Sequence, residues 1–185
     1  MIGYRTLVLN NAYMPVSLFP VKTIPAEDAI TKVLTGSARV VLNHSNVIKT
    51  PSRTDLYWPS VIVTNKRFSE KLRLKREALY YRDHGICQYC EKALKLNSFT
   101  YDHVVPRVKG GEHSWNNIVA ACTDCNNKKG HHDPKGLWIP IKKPFEPTFG
   151  QMLEVRKKFP LVVNDIGWLD FLPGWEGEII VENPT

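Results

Sequence analysis

The sequence predicts an α+β protein, and three observations lead there. Short apolar runs bounded by turn-forming residues recur as strand candidates. One stretch carries apolar residues at helical spacing. Two C-x-x-C pairs bracket a 31-residue segment with no βαβ pattern around it, which points to a small metal-clamped unit and away from a redox fold.

In chain order, Thr6-Leu7-Val8-Leu9 is a strongly apolar strand candidate that stops at the turn signal Asn10-Asn11. Val16 to Phe19, held between Pro15 and Pro20, is expected as a second strand. Ala26, Ala29, Ile30, Val33 and Leu34 fall on one face of a helix. Pro25 lies near its first turn, Glu27 and Asp28 favour its positive end, and Gly36 is placed to stop it. Ala38 to Leu42 and Ser60 to Val63 read as further strands, and His44, in the polar stretch Asn43-His44-Ser45-Asn46, is expected in solvent. Residues 1–65 therefore read as a small α/β accessory region that buttresses the rest of the chain.

The chain has 185 residues, 43% hydrophobic and 23% charged, which is ordinary globular composition. Its net charge of +7 and pI near 9.2 suit a polyanionic partner. No apolar run approaches the roughly 18 residues needed to span a bilayer, so no membrane association is expected. The start, Met1-Ile2-Gly3-Tyr4-Arg5-Thr6, lacks the pattern of a signal peptide, and the reading is a cytoplasmic protein. Phosphate-cradling GxxxxGK[ST], HExxH and GxSxG motifs are all missing, which removes several enzyme classes.

Residues 66–84 form a basic linker, with Lys66, Arg67, Lys71, Arg73, Lys75, Arg76 and Arg82 set against Glu70, Glu77 and Asp83. A helix over roughly 74–83, with Leu72, Ala78, Leu79 and Tyr80 on its buried side, would lay Arg73, Lys75 and Arg76 along phosphates. Beyond residue 133, Pro134 and Gly136 are expected to end a helix, and Pro140, Pro144 and Pro147 break a basic stretch containing Lys142 and Lys143. Residues 134–185 read as a wrapping extension with a short helix over Gln151 to Phe159. Its Trp168, Leu169, Phe171, Leu172 and Trp175 are expected to pack against the core.

Cys87-Gln88-Tyr89-Cys90 and Cys122-Thr123-Asp124-Cys125 each place two thiolates on one tight turn. Without a secretory signal such pairs read as metal ligands, and two of them complete the closed tetrahedral Cys₄ set of structural zinc. The long span between the pairs would be a unit that the zinc clamps at both ends, so metal binding would contribute to folding.

That span holds Asp102-His103-Val104-Val105-Pro106-Arg107, Gly110-Gly111, Asn116-Asn117-Ile118-Val119 and, beyond the second cysteine pair, Asn126-Asn127-Lys128-Lys129-Gly130. A carboxylate beside a histidine offers a hard-cation ligand next to a base that, when neutral, can take a proton from water near neutral pH. DHxxPRxxGG followed by NNIVxxCxxCN, with the flanking C-x-x-C pairs, resembles the HNH endonuclease family from Gly85 to about Asp133. The resemblance implies a zinc-clamped ββα-metal unit over residues 85–133. It implies Asp102 and Asn126 as ligands of a catalytic Mg²⁺ or Mn²⁺, His103 as general base, and Asn117 as the brace of the loop holding the histidine. Asn126 stands where the family often has His, and His131 or His132 is the alternative ligand. Arg107, Lys128 and Lys129 are placed to meet phosphate oxygens.

The function implied is hydrolysis of phosphodiester bonds in DNA, duplex by expectation, with nicking and double-strand cutting both open. The rivals are a non-catalytic zinc module that binds nucleic acid and an RNase with the same chemistry. The sequence specifies no oligomeric state.

Overall fold

The computed structural model describes residues 3–48, 56–65 and 72–182, and its mixture of helices and strands is the α+β class expected. Two compact units emerge, Met1–Glu70 with Lys157–Thr185, and Lys71–Arg156. Compactness thus divides the chain elsewhere than at 66, 85 and 134. Of the C-terminal extension, residues up to 156 belong to the second unit and the remainder to the first. Among the described residues no helix is long and apolar enough to cross a membrane.

The first unit is built on β1 (Arg5–Leu9), β2 (Thr23–Pro25), α1 (Ala26–Leu34), β3 (Ala38–Ile48) and β4 (Leu56–Thr64). They form one sheet in the order β2-β1-β4-β3, with β1 and β4 parallel and the other pairs antiparallel. Nearly every residue of β1 and of the second half of β4 is buried, as a strand covered on both faces requires. α1 covers one face, where Val8, Ala29, Ala38 and Ile62 pack with Val16, Ile24 and Val33. Its expected stripe is narrower than predicted, since Ala26 and Ala29 are buried but Leu34 is exposed.

Two expectations are corrected here. Val16 to Phe19 is not a strand; the chain makes only isolated bridges there, Leu9 to Pro15 and Leu18 to Val21, and the strand falls at Thr23–Pro25. The flanking prolines lack the N–H a ladder needs. His44 is not solvated either. The strand continues through the polar stretch to Ile48, and His44 is buried, with Nε2 3.0 Å from the Arg5 carbonyl and Nδ1 3.5 Å from Asp165.

The second unit holds α2 (Arg76–Arg82), β5 (Thr100–His103), β6 (Ile118–Ala121), α3 (Thr123–Lys129) and α4 (Phe149–Lys157). β5 and β6 pair antiparallel, setting Asp102 opposite Val119 and His103 opposite Ile118. A two-stranded ribbon leaves polar edges that must be satisfied from outside. Along β6, Asp83 accepts from the Ala120 amide at 2.6 Å and Arg82 donates to the Ile118 carbonyl at 2.6 Å. The Gln88 amide takes the Ala120 carbonyl at 2.9 Å. Arg82 also reaches the carbonyls of Trp115 (2.8 Å) and Phe145 (3.2 Å) and pairs with Asp83 at 2.8 Å. Arg82, counted with the basic linker, is therefore a buried stitch rather than a surface charge.

α3 ends at Gly130, ahead of the Pro134 and Gly136 expected to stop it. On α4, Arg156 lies buried with its guanidinium 4.7 Å from the Tyr81 ring centre. The parallel pair β7 (Leu161–Val163) and β8 (Ile179–Val181) belongs to the first unit. There Trp168 packs home as expected, its indole N–H bonding Ser60 at Oγ (2.9 Å) and at the carbonyl (3.0 Å).

Candidate active site

The two cysteine pairs converge. The sulfurs of Cys87, Cys90, Cys122 and Cys125 all lie within 4.8 Å of one another, and the Cys90–Cys122 separation is 3.9 Å. Ligands at about 2.3 Å on a tetrahedron stand roughly 3.8 Å apart, so this set is close to the spacing zinc requires. The first pair sits on a knuckle closed by Cys87 N–H to the Lys92 carbonyl (2.9 Å) and Glu91 N–H to the Cys87 carbonyl (3.0 Å). The second opens α3, where Cys122 is the N-cap and its sulfur accepts from the Cys125 amide at 3.4 Å. The clamp therefore fixes the start of α3 against the segment that leads into β5.

Between β5 and β6 the chain makes a loop that Asn117 holds. Its Oδ1 accepts from the Val105 amide (2.8 Å), and its Nδ2 donates to the carbonyls of Val105 (3.1 Å) and Glu112 (2.9 Å). All three bonds lie within the loop that starts two residues after His103. Gly111 is required here: a Cβ would stand 1.8 Å from the Val105 carbonyl oxygen and 2.8 Å from Asn117 Nδ2. Gly110 beside it takes φ of 84°, a region open to glycine.

His103, at the end of β5, lines a pocket of about 200 Å³ together with Tyr101, Asp102, Arg107, Asn126 and His131. Its Nε2 finds no hydrogen-bond partner among the described residues, which is unusual for a buried polar atom. Burial pulls the imidazole below the ordinary histidine range, the nearby His113 and Arg107 add to this, and Asp102 opposes it. The ring is therefore neutral near pH 7. His113, from the far side of the loop, stands 5.5 Å away between ring centres.

Asp102 is 3% exposed, and both its oxygens accept hydrogen bonds, with a lone pair of Oδ1 left over. The Tyr89 hydroxyl donates to its Oδ2 at 2.5 Å, and the Lys129 ammonium lies 3.2 Å from Oδ1 and 3.0 Å from Oδ2. The same ammonium donates to the His103 carbonyl at 2.7 Å. This corrects the expectation for Lys129: it is 0% exposed and cannot meet a phosphate. It lies three residues after Asn126 on α3, hence on the same helix face, and that spacing could have signalled an inward side chain. The role of Tyr89 carried a fainter signal. A residue between two zinc cysteines is held rigidly, but nothing in the sequence says where it points.

Asn126 Nδ2 donates to Thr100 Oγ1 (2.9 Å) and to the Tyr101 carbonyl (3.3 Å). A carbonyl accepts only, so the amide must face it with nitrogen. This leaves Oδ1, the atom that can bind a cation, unspent on those two bonds. The neighbouring Asn127 is exposed and does not line the pocket. His131 lines it, whereas His132 does not.

Among the basic residues, Arg107 and Lys128 are exposed, and Arg107 stands at the pocket. Arg73 and Lys75 are exposed as well, while Lys66, Arg67 and Lys71 lie outside the described residues. Arg76 departs from expectation. It donates to the Phe99 carbonyl at 2.6 Å, and its guanidinium sits 4.6 Å from the Phe99 ring centre and 5.5 Å from that of Tyr101, so it fastens α2 to β5.

A four-cysteine cluster suited to zinc, a two-stranded ribbon ending in Asp-His, and a helix returning an Asn to the same pocket make up a compact ββα unit. Residues 87–137 match the family model described as HNH endonuclease. The chain is also similar to the CRISPR-associated endonuclease Cas9 of Corynebacterium diphtheriae (strain ATCC 700971 / NCTC 13129 / Biotype gravis). The two are 34% identical over 58 residues, which is 31% of this chain and 5% of that protein.

Proposed function

We propose that this chain is a divalent-metal-dependent DNA endonuclease. The observation that carries the reading is the meeting of Asp102, His103 and Asn126 on one pocket, with Arg107 beside it. Asp102 and Asn126 Oδ1 would hold Mg²⁺ or Mn²⁺, oxygen donors suited to a hard cation. When bound, that cation supplies positive charge where the phosphoryl and leaving oxygens become more negative.

The protein's own residues do the rest. His103, kept neutral by burial, takes the proton of a water that attacks phosphorus in line. Asn117 holds the loop after β5, and with it the position of His103. Arg107 and Lys128 meet phosphate oxygens, and Arg73 and Lys75 add salt-sensitive affinity. Cys87, Cys90, Cys122 and Cys125 hold structural zinc, which favours a reducing compartment such as the cytoplasm. Cleavage leaves 5′-phosphate and 3′-hydroxyl ends.

End-labelled duplex DNA, single-stranded DNA and RNA of one sequence, incubated with Mg²⁺ or Mn²⁺, test this directly. Duplex DNA should be cut into fragments that ligase can rejoin. Cutting of RNA alone would replace the substrate, and fragments ending in 3′-phosphate would replace the mechanism.

A further inference from the structure

Lys129 presents three donors, and three acceptors surround it: both oxygens of Asp102, at 3.2 and 3.0 Å, and the His103 carbonyl at 2.7 Å. Its ammonium is wholly buried. The residues lining the pocket include one carboxylate, that of Asp102, and one guanidinium, that of Arg107. Behind the carboxylate lies this second positive charge. The catalytic carboxylate is therefore already balanced before any divalent cation arrives.

We propose that Lys129 is a resident counter-ion that keeps the divalent cation weakly held until a nucleic-acid phosphate enters, so that cation and substrate load together. The inference rests on the role of Asp102 as a cation ligand in the proposed nuclease. A second positive species brought to a carboxylate already paired with an ammonium meets repulsion that solvent screens little in a buried site. A phosphodiester supplies the missing negative charge, and by linkage each of the two ligands then tightens the other by the same factor. Tyr89 donates to Asp102 without bringing charge, so it orients the carboxylate and takes no part in the balance.

The test measures Mn²⁺ binding to the zinc-loaded full chain by water-proton relaxation, in a His103→Ala background so that DNA stays intact. A duplex oligonucleotide is present or absent. In the background protein, DNA should tighten Mn²⁺ at least about ten-fold. Adding Lys129→Met should raise the DNA-free affinity by about the same factor and shrink the coupling, while Lys129→Arg keeps both as they were. Tyr89→Phe should change the DNA-free affinity by less than about three-fold. Tight Mn²⁺ binding without DNA in the background protein overturns the proposal even if Lys129→Met does not fold. So does a Lys129→Met protein whose affinity is unchanged or weaker, or a Tyr89→Phe effect equal to it. If the chain with His103 intact cuts DNA while any of these results holds, the nuclease reading stands and only this inference falls. Neither cleavage nor Mn²⁺ binding, with DNA present, removes both.

Discussion

At the scale of single residues the proposed chemistry rests on His103. Burial favours its neutral form, so its titration lies below the ordinary value near 6.5. A base must be unprotonated to act, and a cation bound beside it would push in the same direction. The acid limb of kcat/KM against pH should therefore inflect below about 6.5, and an inflection above 7 would show that another group is the base. Asn117 makes three bonds inside the loop, two of them as donor. Replacing it by Ala leaves backbone groups of Val105 and Glu112 unsatisfied and should cost about 1–3 kcal/mol in urea unfolding. Turnover should fall further than stability alone explains, because His103 would lose its fixed approach.

At the scale of elements, two devices hold the small ribbon. One is the cysteine cluster, whose closed geometry suits zinc and would make bound metal part of folding. Cys87→Ser should lose the single bound zinc and the cooperative unfolding transition of residues 71–156, read by metal analysis and circular dichroism. A fully folded, zinc-free variant would contradict the clamp. The other is the Arg82–Asp83 pair, which satisfies the open edge of β6. Arg82→Met removes one partner of a buried pair and should destabilise by about 3–5 kcal/mol. A loss below about 1 kcal/mol in chemical denaturation would show that the edge finds other partners.

How far the sequence discloses these elements depends on what each signal encodes. C-x-x-C spacing constrains sulfur positions within one turn, so the convergence of all four cysteines was legible. α1 was legible too, because a nine-residue helix writes its period into its apolar residues. The destinations of long polar side chains were not. Lys129, Arg76 and Arg82 read as surface charge in a basic stretch, yet each ends on a buried or half-buried acceptor that only the fold supplies. His44 failed for the related reason that a polar strand and a polar turn look alike in composition.

For the molecule as a whole, the net charge of +7 frames how it would meet a polyanion. Fluorescence anisotropy with a labelled duplex should show affinity falling steeply between about 50 and 200 mM salt, on the order of ten-fold per few phosphate contacts. Reversing the exposed Arg73 and Lys75 to Glu should weaken binding several-fold at low salt, and unchanged binding would remove α2's approach from the interface.

The central claim is that His103 and a divalent cation together cut DNA. Supercoiled plasmid incubated with the wild-type chain and with His103→Ala, each in Mg²⁺, Mn²⁺ or EDTA, tests it most directly. The expected result is nicked or linear product from wild type with either cation, none in EDTA, and at least about a hundred-fold slower cutting by His103→Ala. A wild-type chain that retains plasmid but never cuts it under any metal, or a His103→Ala chain that cuts as fast, would contradict the claim.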